Sequence, residues 1–308
     1  MVVVDMPKIS KSDIYKCCCN VIKDEAKKKN LLNYLYVFLL NARGYCNSAR
    51  KKCLDKYIMI ELINYTRYED IKNDLFDLYD KRLVRGKEPR KYYNQIKASP
   101  KLGKCPYCGL GQVATLDHYL PKSEFPIFSI LPNNLIGCCR DCNTIKRNIV
   151  SNTIHPYYDD FTKTQWLFAK VNWSALAMDF FADTKNINNV LDKKKIEGHF
   201  SVYELAKRYA VEVDWEVTKQ EFCLKMKGLA DKYHLTLNED WLNEDDEIDT
   251  WCDILNKQWA DWGLCVAKFT IVCGNFGYLY FIYERQDVEK LSDLCLEVNQ
   301  CIDVAKEI

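Results

Sequence analysis

Glycine and proline are scarce in this chain, 11 and 8 among 308 residues. Long flexible linkers are rich in one or the other, so their scarcity argues for mostly folded structure. There is no low-complexity tract and no internal repeat, which excludes repeat architectures. Met1 to Lys8 lacks the extended apolar stretch of a signal peptide. The nearest thing to a membrane span is Leu264 to Tyr283. Lys268, Gly274, Asn275 and Gly277 interrupt it, so a buried element is expected there. A net excess of charge is also missing, at +1. These absences lead to the expectation of a cytoplasmic protein with no membrane partner. Its 16 cysteines would then sit in reducing surroundings, where a Cys-x-x-Cys pair is read as metal-binding or redox-active before structural disulfide.

What is present is ordinary in bulk. Hydrophobic content of 48% and charged content of 28% suit a globular protein. The length allows one elaborated domain or two. The charges, however, are segregated. Lys81, Arg82, Arg85, Lys87, Arg90, Lys91, Lys97, Lys101 and Lys104 face only Glu88 between positions 81 and 104. Such a run suits contact with phosphates, and equally a solvated helix face. Glu239, Asp240, Glu244, Asp245, Asp246, Glu247, Asp249 and Asp253 form an acidic counterpart, read as solvated surface or partner contact.

Apolar residues at helical spacing predict helices over most of residues 11–98, with Ser10 or Ser12 capping the first. The run Asn30 to Asn41 is apolar enough to be buried, and Tyr68 to Leu83 continues the pattern. Cys17, Cys18 and Cys19 lack ligand spacing and are expected in the core. After Pro156 the pattern returns to helix, over Val202–Ala210, Lys219–Tyr233, Ile248–Val272 and Val288–Lys306. A β-hairpin is the alternative for Phe269–Tyr283. Trp241, Trp251, Trp259 and Trp262 are expected to pack this C-terminal region.

The chemistry is concentrated in one window. Cys105–Pro106–Tyr107–Cys108 and Cys139–Arg140–Asp141–Cys142 supply two Cys-x-x-Cys pairs. Each presents two sulfurs to one centre, and tetrahedral zinc needs four. Cys105, Cys108, Cys139 and Cys142 are therefore the expected ligands of a closed, structural Zn²⁺; Cys138 would break the spacing and is left to packing. Between the pairs lie Asp117–His118 and Asn134–Leu135, and Asn143 follows Cys142 directly.

This order resembles the HNH (ββα-metal) endonuclease family. The resemblance implies an α+β, predominantly helical fold. A central ββα-metal module at residues 99–160, with its structural zinc, would be flanked by helical regions at 1–98 and 161–308. It implies phosphodiester hydrolysis leaving 5′-phosphate and 3′-hydroxyl ends. His118 would be the general base, suited by its near-neutral titration. Asp117 and Asn143 would hold one Mg²⁺ or Mn²⁺ ion through hard oxygens. Asn134 would hold the loop that orients His118. Lys146, with Arg140 or Arg147, would meet substrate phosphate. The substrate would be DNA or RNA.

Leu116 to Ser123 and the trailing His155–Pro156–Tyr157–Tyr158–Asp159 are similar to HNH proteins of bacterial anti-phage systems, the Septu-type and related retron nucleases. That implies an SMC-like ATPase partner from a defence operon. His155 is weighed as structural or as approaching the site; His199 and His234 receive no role. Two alternatives stand beside this reading. One is an inactive zinc module binding nucleic acid or a partner protein. The other is a standalone restriction- or homing-type nuclease.

Overall fold

The computed structural model describes residues 4–62, 66–150, 152–161, 164, 166–172 and 177–211. The expectations for the acidic run, the four tryptophans, His234 and every element beyond residue 211 lie outside these residues. Among the described residues, helices dominate and two small antiparallel sheets are added. The chain divides into two compact units, Met1–Thr162 with Ile187–Tyr203, and Lys163–Asn186 with Glu204–Ile308.

The first unit opens with three helices. α1 (Lys11–Asn20) starts where the Ser10 side chain accepts the Asp13 N–H, one of the two caps expected. α2 (Glu25–Asn33) is capped in the same way by Asp24. The chain turns at Tyr34 into α3 (Leu35–Arg50), so the apolar run Asn30–Asn41 is shared between two helices. Val37, Phe38, Ala42 and Tyr45 line the buried face of α3 at helical spacing. Tyr15 of α1 packs its ring 4.6 Å from Phe38 and donates its hydroxyl to the Leu31 carbonyl at 2.9 Å. Cys18 and Cys19 are buried in this core, and burial pushes both thiols up. They act there as small hydrophobes.

α4 (Tyr68–Asp77) runs on into a π-helical turn, Leu78–Val84. This widened turn buries Leu78, Tyr79 and Leu83 and leaves Lys81 and Arg85 outside. α5 (Arg90–Lys97) follows and buries Tyr93 and Ile96. It packs on both strands of the first sheet.

In that sheet β1 (Thr115–His118) pairs antiparallel with β2 (Leu135–Cys138), with Asp117 opposite Ile136 and His118 opposite Leu135. α6 (Arg140–Lys146) leaves β2 directly and packs back on β1. α7 (Val190–Val202), capped by Asn189, completes this unit. Gly198 lets α7 approach closely: a Cβ there would stand 2.4 Å from the Asn152 carbonyl oxygen.

In the second unit β3 (Leu167–Asn172) pairs antiparallel with β4 (Ala177–Ala182). α8 (Leu205–Val211) packs on β4, with Tyr209 edge-on to Phe180 at 5.5 Å. The helix expected near Val202–Ala210 is present, but the β3–β4 hairpin replaces the helical character expected after Pro156. Its strands are six residues each, and runs that short fit strand or helix equally by periodicity. No described helix is long and apolar enough to cross a membrane.

Candidate functional site

The two cysteine pairs converge. The sulfurs of Cys105, Cys108, Cys139 and Cys142 all lie within 4.8 Å of one another, and all four residues are buried. Sulfurs around one zinc at bonding distance stand about 3.8 Å apart. Cys108 and Cys139 are separated by 3.9 Å, so a small closure of the cluster accommodates the ion. The same separation is nearly twice a disulfide bond, and the cysteines are free thiols. Hydrogen bonds among the four thiols lower Cys139 and Cys108 and raise Cys105 and Cys142, so the cluster shares its protons internally. The donor set therefore fits zinc, and with four sulfurs it would leave no open position for catalysis. Gly111 is required beside it: a Cβ at this position would lie 2.7 Å from Cys139 Cβ.

The four-cysteine cluster reaches the neighbouring site through Tyr107. Its hydroxyl donates to Asp117 Oδ2 at 2.8 Å. Burial, then the Asp117 charge, pushes this phenol well above its ordinary value, so it remains a donor. α7 braces Tyr107 from the other side. The Tyr203 ring stacks on it at 4.6 Å, and His199 Nε2 donates to its carbonyl at 2.7 Å.

Asp117 is only 2% exposed. Lys146 Nζ lies 3.2 Å from its Oδ1 and 3.1 Å from its Oδ2, and also donates to the His118 carbonyl at 2.6 Å. Lys146 itself is 1% exposed. It was expected at the surface, meeting phosphate from the helix. The structure instead turns it inward, where its charge neutralises Asp117 and ties α6 to β1. Asn143 is half-buried one helical turn earlier, on the same face of α6. Arg140 and Arg147 are exposed at the two ends of α6. Arg147 holds a left-handed φ of 48°.

His118 follows Asp117 at the end of β1. Its Nε2 is 2.8 Å from the Ser129 carbonyl. A carbonyl only accepts, so Nε2 carries the proton and Nδ1 the lone pair. Nδ1 has no partner among the described residues. Burial holds this imidazole down at about 4, only partly opposed by the Ser129 carbonyl and Asp117. The ring is therefore neutral near pH 7. Tyr79, from the π-helical turn, sets its ring edge-on to His118 at 4.4 Å.

Asn134 is fully buried. Its Oδ1 accepts the Leu120 N–H at 2.7 Å, and its Nδ2 donates to the Leu120 and Phe128 carbonyls at 2.9 and 3.2 Å. These bonds fasten both ends of the loop that delivers Ser129 to His118. His155 lies apart, wholly buried. Its Nδ1 accepts the Tyr157 N–H, so its Nε2 donates to the Tyr45 hydroxyl at 3.0 Å. Both nitrogens are thus committed to structure. Close by, Lys195 of α7 pairs with buried Asp159 at 2.5 Å.

Tyr107, Ser129, Lys195, His199 and Tyr203 had no assigned role in the sequence reading. The position of Tyr107 between two ligand cysteines was a usable signal. His199 gave none, standing 92 residues from its partner.

Residues 165–305 match the family described as Domain of unknown function (DUF6630). That match lies wholly outside the cysteine window. The chain is also similar to Protein ea31 of Escherichia phage lambda, 28% identical over 221 residues, covering 67% of this chain and 74% of that protein. No solved structure matches.

Proposed function

We propose that this chain is an endonuclease of the HNH type, hydrolysing nucleic-acid phosphodiester bonds with His118 as general base. The observation that carries the reading is the fixing of His118. Hydrolysis needs a base with a free lone pair in a defined direction. The Ser129 carbonyl holds Nε2–H, which sets the tautomer and leaves Nδ1 to take a proton from water. Asn134 secures the loop on which Ser129 stands. The order Asp117, His118, Asn134, Cys139, Cys142, Asn143 supports the same family.

The family reading includes a Mg²⁺ or Mn²⁺ ion, which when bound supplies charge stabilisation at the phosphoryl oxygen. Asp117 and Asn143 offer oxygen donors of the right hardness. In the present arrangement the donor set does not fit such an ion, because the Lys146 ammonium already occupies the cation position on Asp117. The similarity to anti-phage HNH proteins supports a cytoplasmic defence effector working with an SMC-like ATPase.

The closed Asp117–Lys146 pair favours a second reading, a zinc module that binds nucleic acid or a protein without cleaving. The discriminating experiment incubates the purified protein with Mg²⁺ or Mn²⁺ on plasmid, single-stranded DNA and RNA, beside His118→Ala. The nuclease reading expects a loss of at least about 100-fold in the variant, with zinc content unchanged. Equal cleavage by both proteins would remove His118 from the chemistry. No cleavage on any substrate, with co-purified native partners present, would leave the binding module.

A further inference from the structure

We propose that the outer face of the π-helical turn and the segment leading into α5 form a nucleic-acid phosphate track ending at Lys122, beside His118. This deepens the nuclease reading, but its test does not depend on cleavage.

Burial of Lys146 removes one of the expected phosphate contacts and leaves Arg140 and Arg147 exposed at the ends of α6. Lys122 stands at the right place to supply the lost contact. Its Nζ lies 5.0 Å from the Tyr79 ring centre, and that ring packs on His118. Its one ion pair is with Asp80, whose side chain is 45% exposed. The Lys122 side chain is 22% exposed and lies over the Phe76 and Tyr79 rings, so a phosphate would reach its ammonium from the open Asp80 side, in place of that carboxylate.

Behind Lys122 the same turn carries cations outward. Asp74, Asp77 and Asp80 are engaged by Lys27, Lys81 and Lys122, which leaves Glu88 as the exposed carboxylate within the run. Arg82, Arg85, Lys87 and Lys97 have no ion pair among the described residues. Arg85 and Lys87 are exposed, and Arg82 and Lys97 half-buried. α5, which carries Lys97, packs on β1, β2 and the π-helical turn, so the turn that bears Arg82 is braced against the sheet that carries His118. A π-helical turn with buried aromatic and exposed cationic sides fits a polyanion better than an apolar partner. The chemistry recognised is the phosphodiester backbone, shared by DNA and RNA.

The test uses full-length His118→Ala protein in chelator-free buffer without added divalent ion, so no strand is cut. Fluorescence anisotropy measures binding of labelled single-stranded DNA, duplex DNA and single-stranded RNA over a range of salt. Three further variants are compared: Lys122→Ala, the triple change Arg82→Glu, Arg85→Glu, Lys87→Glu, and a control triple, Lys23→Glu, Lys29→Glu, Lys51→Glu, at exposed lysines elsewhere. The track triple is expected to weaken binding about tenfold or more and to reduce the salt slope by about 2–3. Lys122→Ala is expected to reduce that slope by about 1. The control triple should stay within about threefold of the parent. Melting temperatures of all variants verify folding. Loss of affinity equal in both triples, unchanged affinity in the track triple, or no binding by the parent would each overturn the track. The three nucleic acids separate the sources of the phosphate. Failure of the nuclease reading would show in cleavage alone and leave this result standing.

Discussion

Replacing Lys146 by methionine tests the buried pair at the heart of the site. Methionine nearly keeps the volume and removes the charge. Among the described residues Asp117 then keeps only the Tyr107 hydroxyl as donor, and the His118 carbonyl loses its bond to Nζ. Breaking a buried pair on one side costs about 3–5 kcal/mol, because the remaining charge stays out of water. At about 2–4 °C per kcal/mol for a unit of this size, the melting temperature should fall by roughly 6–20 °C. Thermal unfolding by circular dichroism, with zinc content measured in parallel, reads the effect. Asp117→Asn combined with Lys146→Met should recover much of the loss, since two neutral groups of similar shape leave no stranded charge. The reasoning is refuted by a single variant that melts within about 2 °C of the parent, or by a double variant whose loss equals the sum of the singles. Mn²⁺ added to Lys146→Met should restore part of the stability, because a hard cation can then take the vacated side of Asp117.

Two further outcomes follow from the neighbouring features. One zinc per chain is expected by elemental analysis, and its removal by a strong chelator, or Cys139→Ser, should unfold the first unit. Structural zinc contributes about 10–16 kcal/mol in small zinc peptides, as much as a whole domain's stability; an unchanged melting curve after complete metal removal would contradict this. Stability should also fall on acidification. Burial holds His118 and His199 at about 4, below the ordinary value of about 6.5. Protons therefore bind the unfolded chain first. The contribution is fully present above pH about 6.5, and is lost as pH falls toward about 4, at up to about 1.4 kcal/mol per pH unit for each ring. His199→Gln, which can still donate to Tyr107, should make the denaturation-versus-pH slope shallower by about one proton; an unaltered slope would refute the assignment.

Much of the site was legible because its signals are local. Two cysteine pairs of fixed spacing specify one centre wherever the loop between them goes. The loop-holding role of Asn134 came from the resemblance to HNH proteins, and its amide, which both donates and accepts, suits the bonds it makes to Leu120 and Phe128. Lys146 was not readable. A lysine closing a short helix is ordinarily solvated, and only the pairing of β1 with β2 sets Asp117 under α6. The β3–β4 hairpin was missed because six apolar-rich residues carry no decisive period. α7 itself is capped by Asn189 in the usual way. Its docking on Tyr107 and Asp159 depends on contacts that no local pattern encodes.

That docking changes how the protein can be divided. The chain leaves the first unit near residue 162, returns for Ile187–Tyr203, and leaves again. The DUF6630 match at 165–305 therefore includes a helix that belongs to the cysteine-bearing unit. A truncation at residue 165 would not isolate an intact cysteine-bearing unit. It would take Lys195 from buried Asp159 and strip Tyr203 and His199 from Tyr107. A minimal fragment must keep residues 187–203 together with the first unit. Expression trials, limited proteolysis and domain swaps drawn along the linear boundary would otherwise damage the site they aim to expose.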